Sequence, residues 1–207
     1  NHSDVFLSKD KKKLSDFDYS LRIGTSSLRR KAQLLNINST LKIDDIRGNV
    51  DTRISKMLNG EYDGLVMAAA GIERLGLEDY ITEYFDTEQM LPAPGQGAIS
   101  VEFKKKNSQL FDILKNISDD ETGLCTYYER SFMNELGGGC NSPIGAYSFI
   151  SDSKKIITGS ILSLDGSQVY KHSLEKDISN DINIGKLLAE KLIKSGANKI
   201  IKNLSIE

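Results

Sequence analysis

Tryptophan is absent, and cysteine, histidine and proline are scarce: two, two and three in 207 residues. Two cysteines, Cys125 and Cys140, cannot build a disulfide framework. No Cys/His cluster has the spacing of a zinc site, so no metal is expected. His2 and His172 are the whole supply of imidazole, and neither lies in a motif for nucleophilic catalysis. No run of about 18 apolar residues is available to span a membrane. The opening NHSDVFLSKDKKK lacks the apolar stretch of a signal peptide. A net charge of −2 gives no basic field for nucleic acid. These absences point to a cytoplasmic protein with reduced thiols.

What is present is a globular balance of 39% apolar and 27% charged residues, enough for a real core. A chain of this length forms one large domain or two of about 100 residues each. Strand-like and helix-like segments alternate at first. LRIGTSS (21–27) reads as a strand entering a Ser/Thr helix cap, and LRRKAQLLNI (28–37) has helical spacing. LKIDDI (41–46) is a second strand, DTRISKML (51–58) a helix, and YDGLVMAAAG (62–71) a third, central strand. IERLGLEDYI reads as a short helix, and residues 1–20 as a polar lead-in. That order predicts an open α/β sheet with mainly parallel strands over residues 1–97.

LPAPGQG marks a boundary, and AISVEF (98–103) alternates as a strand. ETGLCTYYERSFMNEL (121–136) is an amphipathic helix in which Cys125 reads as a core thiol. IGAYSFI, KIITGSILSL and QVYKHSLE form an antiparallel meander with a hairpin at Asp165-Gly166, and residues 182–196 a closing helix. Residues 119–207 are therefore expected to be a small α+β domain, a three-stranded antiparallel sheet with helices on one face. Residues 98–118 are a crossover strand and connector between the two.

Six of the seven arginines fall in the first 74 residues. Arg29 and Arg30 follow the first strand, Arg47 and Arg53 the second, and Arg74 the third. Ligands bind at the carboxyl ends of strands in an open parallel sheet, so these five converge on one crevice. Cations at a helix N-terminus oppose its dipole unless an anion offsets them. Any one arginine reads plainly as a solvated surface charge, whereas three consecutive junctions favour an anion site. No phosphate-binding GxxxxGK[ST] loop is present, and five guanidiniums suit a ligand with several carboxylates. Cys140, in NELGGGCNSPIG, is either a small residue in a tight turn or an exposed thiol that carries something covalently. A polycarboxylate-binding module without chemistry has no use for that cysteine, and a cysteine hydrolase would need a base beside it.

GTSSLRRKAQL, DIRGNVDTRISKMLNGEYDGLVMAAAGIERLG, LPAPGQGAISVE and ERSFMNELGGGCNSPIGAY closely resemble the porphobilinogen deaminases, or hydroxymethylbilane synthases, in order and over about residues 4–200. The resemblance implies a periplasmic-binding-protein-like first domain here. It also implies transferase activity in tetrapyrrole (haem) biosynthesis. Four porphobilinogen units condense through linear oligopyrrole intermediates into hydroxymethylbilane, with release of ammonia. It implies a dipyrromethane cofactor in thioether linkage at Cys140. The carboxylates of cofactor and intermediates fall to Arg29, Arg30, Arg47, Arg53 and Arg74, with Ser27 and Thr25 nearby. The family's catalytic aspartate lies in a His-Ser-x-Lys-Asp motif with no counterpart here, and Asp44, Asp45 and Asp51 do not fill that role. The chain thus matches the family's second and third domains. The resemblance implies a chain inactive alone, with Cys140 empty. Residues 98–118 would pair with the family's first domain, and without it either self-association through 98–106, in place of the family's usual monomer, or a rearranged connector is expected.

Overall fold

A computed structural model describes residues 1–17, 20–104, 108–139 and 142–204. Two sheets organise it. The first has five strands, β1 (Asp4–Ser8), β2 (Arg22–Gly24), β3 (Lys42–Asp44), β4 (Gly64–Ala68) and β5 (Ile81–Tyr84), in the order β3-β2-β4-β1-β5. β2 is parallel to β3 and to β4, whereas β1 runs antiparallel to both β4 and β5. Four strands therefore share one direction, as the α/β reading expects, and β1 opposes them.

β1 corrects the expectation of a polar lead-in. All five of its residues are buried, because it is inserted between two strands rather than laid on an edge. The period of two sends Val5 and Leu7 to one face, with Leu65, Met67, Ile54 and Met57. Phe6 goes to the other face, with Ile23, Leu34, Val66 and Phe85. α1 (Leu28–Ile37) covers this second face, and α2 (Val50–Leu58) covers the first. The third apolar run is shorter as a strand than its composition suggests, since Ala69–Glu73 turns into α3. The segment read as one helix over IERLGLEDYI ends instead in β5, which borders β1.

The second sheet is the expected meander, β6 (Ile144–Ser151), β7 (Lys154–Leu162) and β8 (Val169–Asp177), all antiparallel. The β7–β8 hairpin turns at Gly166, whose φ is +72°. α4 (Ser108–Lys115) precedes α5 (Asp120–Glu135), and α6 (Ile184–Lys194) and α7 (Asn198–Leu204) close the chain. α5 and α6 bury Tyr128, Phe132, Leu188 and Leu192 against Ile144, Ile157 and Ile161. Cys125 is buried and unbridged, as its place on the apolar stripe of α5 predicts.

Residues 98–104 form no strand, against the alternation of AISVEF. Ile99 is 90% exposed, and without a partner strand its backbone has no ladder to join. Ile99, Val101 and Phe103 instead flank a groove with Phe111, Leu114 and Ile117.

The loop 91–97 joins the two sheets. Leu91 exchanges hydrogen bonds with the Gln33 amide of α1 (2.8 and 3.0 Å). The Ala146 N–H of β6 donates to Pro92 O (3.0 Å), and the Gly95 N–H donates to Glu129 of α5 (2.7 Å). Gly97 has φ +85°, and a Cβ there would stand 2.3 Å from Asn1 O, so the two segments pass side by side.

Candidate functional site: a buried arginine pair on one carboxylate

Parallel strands place the C-terminal ends of β2, β3 and β4 along one edge. Because β1 is antiparallel, its first residue arrives at that same edge: Asp4 pairs with Ala68, the last residue of β4. Thr25 and Ser27 follow β2. Ser27 Oγ caps α1 by accepting the Arg30 N–H (3.4 Å), and Thr25 Oγ1 accepts the Ser27 N–H (3.3 Å). That cap presents Arg29 and Arg30 in the first turn, toward Asp4.

Arg29 Nη1 donates to Asp4 Oδ2 and to Leu91 O, both at 2.6 Å, and Nη2 donates to Gln96 Oε1 at 3.2 Å. Arg30 meets the other oxygen: Nε lies 2.9 Å and Nη2 2.8 Å from Asp4 Oδ1. Gln96 Nε2 donates to the same Oδ1 at 3.0 Å. Asp4 is fully buried, and the Arg29 and Arg30 side chains are 4% and 13% exposed. Two guanidiniums therefore share one carboxylate where water cannot screen them. Arg53, in α2, adds a third positive charge that is felt at Arg30. Burial pushes the Arg30 guanidinium below its ordinary range, Asp4 pulls it back, and Arg29 and Arg53 push it down further. Arginine keeps its proton regardless, so the cluster is short of negative charge.

Asp4 responds in the opposite sense. Burial opposes its ionisation, but Arg29, Arg30 and the hydrogen bonds from Arg29 and Gln96 outweigh that and hold it below the usual carboxylate range. A carboxyl with a depressed folded pKa stabilises the fold above its unfolded value, here 3.8, and loses that contribution as pH falls through the folded value. Urea unfolding across a pH series is expected to show wild-type stability falling below about pH 4. Asp4→Asn should be weaker at neutral pH and flatter across that window. Equal slopes for the two proteins would remove Asp4 from the acid response.

Of the residues read as site candidates, the structure brings Arg29 and Arg30 into contact with Asp4, and Thr25 and Ser27 into the cap beneath them. Arg53 is half-buried and donates from Nε to Gly48 O (2.8 Å). Arg47 and Arg74 are exposed. Among the described residues, these last three form no ion pair. Cys140 lies outside the described residues. Its flanks are tied together by the Gly139 N–H to Ser142 Oγ (3.0 Å) and the Ser142 N–H to Gly139 O (3.0 Å).

Asp4, Gln96 and Glu129 were not legible as site residues. Glu129 is buried beside a cavity of about 250 Å³ that Gln96, Cys125 and Tyr147 also line. It accepts from the backbone N–H groups of Gly95 and Ser148 (2.7 and 2.8 Å). Burial raises its pKa despite those bonds, and burial likewise pushes the Cys125 thiol up.

Residues 1–112 match the family model of the porphobilinogen deaminase dipyromethane cofactor binding domain, and residues 123–194 that of the porphobilinogen deaminase C-terminal domain. The chain belongs to the porphobilinogen deaminase family. Similar relatives, each named porphobilinogen deaminase, occur in Desulforamulus reducens (41% identical over 204 residues, 99% of this chain and 66% of the relative) and in a Geobacillus species (40% over 209 residues, 100% and 67%). One from Staphylococcus aureus is 39% identical over 204 residues, 98% and 66%. The chain thus spans about two thirds of the length of the curated relatives it matches. All five candidate arginines and Asp4 fall within the part that matches the family's cofactor-binding domain.

Proposed function

We propose that these residues serve the activity for which the family is named. Four porphobilinogen units would be joined in sequence to hydroxymethylbilane, with one ammonia lost at each condensation. The observation that carries this reading is the buried Arg29–Arg30 pair, served by the single carboxylate of Asp4. Each pyrrole of such a chain bears an acetate and a propionate, which suit the surplus charge at Arg30 and Arg53 and the exposed guanidiniums of Arg47 and Arg74. A dipyrromethane cofactor fits the same donor set: Arg30 and Arg53 would hold its carboxylates, Arg29 would brace Arg30, and Ser27 and Thr25 would keep α1 aimed.

Cys140 is the attachment point in this reading. Cys140 would hold the cofactor through a thioether to a pyrrole methylene, the amine of that methylene and the thiol proton departing together as ammonia. When bound, the cofactor supplies the carbon to which the next pyrrole is joined.

Titration calorimetry with porphobilinogen on a Cys140→Ser chain, which reads only non-covalent binding, tests the carboxylate site. Saturable binding is expected, weakened about tenfold by Arg53→Gln, the value of one charged hydrogen bond. No saturable binding, or the same affinity in Arg53→Gln, overturns the reading. Peptide mapping of the unmutated chain tests the attachment point: a dipyrrole found on any residue but Cys140 overturns that assignment.

A further inference from the structure

Arg29 has three of its five N–H groups committed within the protein. They go to Asp4, Leu91 O and Gln96 Oε1, and the side chain is almost fully buried. Arg30 turns Nε and Nη2 onto Asp4 Oδ1, with Nη1 only 3.4 Å from Val66 O. The carboxylate of Asp4 thus takes donors of both arginines that would otherwise be open to a carboxylate. Two buried guanidiniums with no counter-ion repel each other and resist folding. With Asp4 present the pair keeps one surplus charge rather than two.

Resting on the reading of this cluster as a carboxylate site, we propose that Asp4 is its built-in counter-ion, which holds the arginine pair folded without ligand and thereby limits the affinity for the ligand's carboxylates. A growing chain must shift its carboxylates past the arginines after each addition. A site of two uncompensated guanidiniums would bind each carboxylate too tightly to release it. Asp4 trades affinity for movement. Gln96 belongs to the same device. Its amide nitrogen donates to Asp4 Oδ1, and also to His2 O (2.7 Å) and Ser3 O (3.3 Å), while its oxygen accepts from Arg29. A carboxylate at position 96 would cancel the remaining surplus, keeping the bond from Arg29 and giving up the amide's donation to Asp4 Oδ1, His2 O and Ser3 O.

The inference makes affinity follow the charge of the cluster, in the order Asp4→Asn, wild type, Gln96→Glu. Porphobilinogen binding by calorimetry, in the Cys140→Ser chain, reads it. A unit charge at about 10 Å in a medium of effective dielectric about 20 is worth on the order of tenfold in affinity at each step. A purely structural Asp4 would move stability and affinity the same way; here Asp4→Asn is expected to be less stable and to bind more tightly. Asp4→Glu, which keeps the charge, should stay near wild type. Should Asp4→Asn not fold, the roughly tenfold loss in Gln96→Glu is the deciding comparison. Weaker or unchanged binding in Asp4→Asn, or unchanged binding in Gln96→Glu, overturns the inference and leaves the carboxylate site standing. A wild-type chain that takes up no porphobilinogen overturns both.

Discussion

Arg29→Leu is expected to cost the fold about 3 kcal/mol, the scale at which charged hydrogen bonds in a buried ion pair are lost. The leucine fills much of the volume but takes a donor from three acceptors: Asp4 Oδ2, Leu91 O and Gln96 Oε1. Leu91 O retains the Gln33 amide, and Asp4 Oδ1 retains Arg30, so the loss falls short of abandoning a lone buried charge. Asp4 Oδ2 is the costly atom, a carboxylate oxygen in a residue with no exposed surface. Arg47→Leu and Arg74→Leu make the contrast. Both side chains are exposed, and surface substitutions of this kind stay within about 0.5 kcal/mol. Urea unfolding separates the two kinds of arginine. An Arg29→Leu protein within about 1 kcal/mol of wild type would show that the buried pair contributes little to the fold.

That contrast could not be drawn from the sequence, and the reason is specific. Arg29 and Arg30 are legible as neighbours at a helix start, because the Ser27 cap and the helical spacing are local features. Their partner is not. Asp4 reaches them only because β1 enters the sheet backwards, so that its first residue lands at the edge where β4 ends. Nothing within DVFLS specifies that insertion, and the lysines after it suggest a solvated lead-in. β5 was hidden likewise, as four residues whose pairing with β1 spans more than seventy positions. α5, α6 and the β6–β8 meander were legible because helical periodicity and a Gly-containing hairpin turn are written within single segments. AISVEF makes the converse point: alternation is necessary for a half-buried strand, but a ladder needs a neighbour, and residues 98–104 have none. The site divides in the same way. Charges at strand ends can be read one at a time, whereas the balance among them is a property of the fold.

The second large effect is expected at Gly185, in the first turn of α6. A Cβ at this position would stand 1.9 Å from Tyr128 O and 2.7 Å from Tyr128 C. The obstacle is the backbone of α5, which cannot rotate aside as a side chain could, so Gly185→Ala must push the two helices apart. Alanine's helix propensity favours the variant by about 1 kcal/mol in a helix interior, and less in a first turn. Overpacking in a close-packed core costs about 1–3 kcal/mol and more where backbone must move. The clash therefore outweighs the propensity, and a net loss of about 2–3 kcal/mol is expected in urea unfolding. The displacement would be felt locally. Lys155, itself buried, donates to the Tyr128 hydroxyl at 3.2 Å and to Ile182 O at 2.9 Å, so it bridges the same two elements just before α6 begins. Tyr128 and Ile184 also share the core that holds the β6–β8 sheet, whereas the residues around Asp4 belong to separate clusters. Gly185→Ala should then weaken the second sheet while affinity at the proposed carboxylate site stays near wild type. A variant as stable as wild type would mean that α5 and α6 can separate freely, and a parallel fall in affinity would mean that the loop 91–97 carries the strain across to the site.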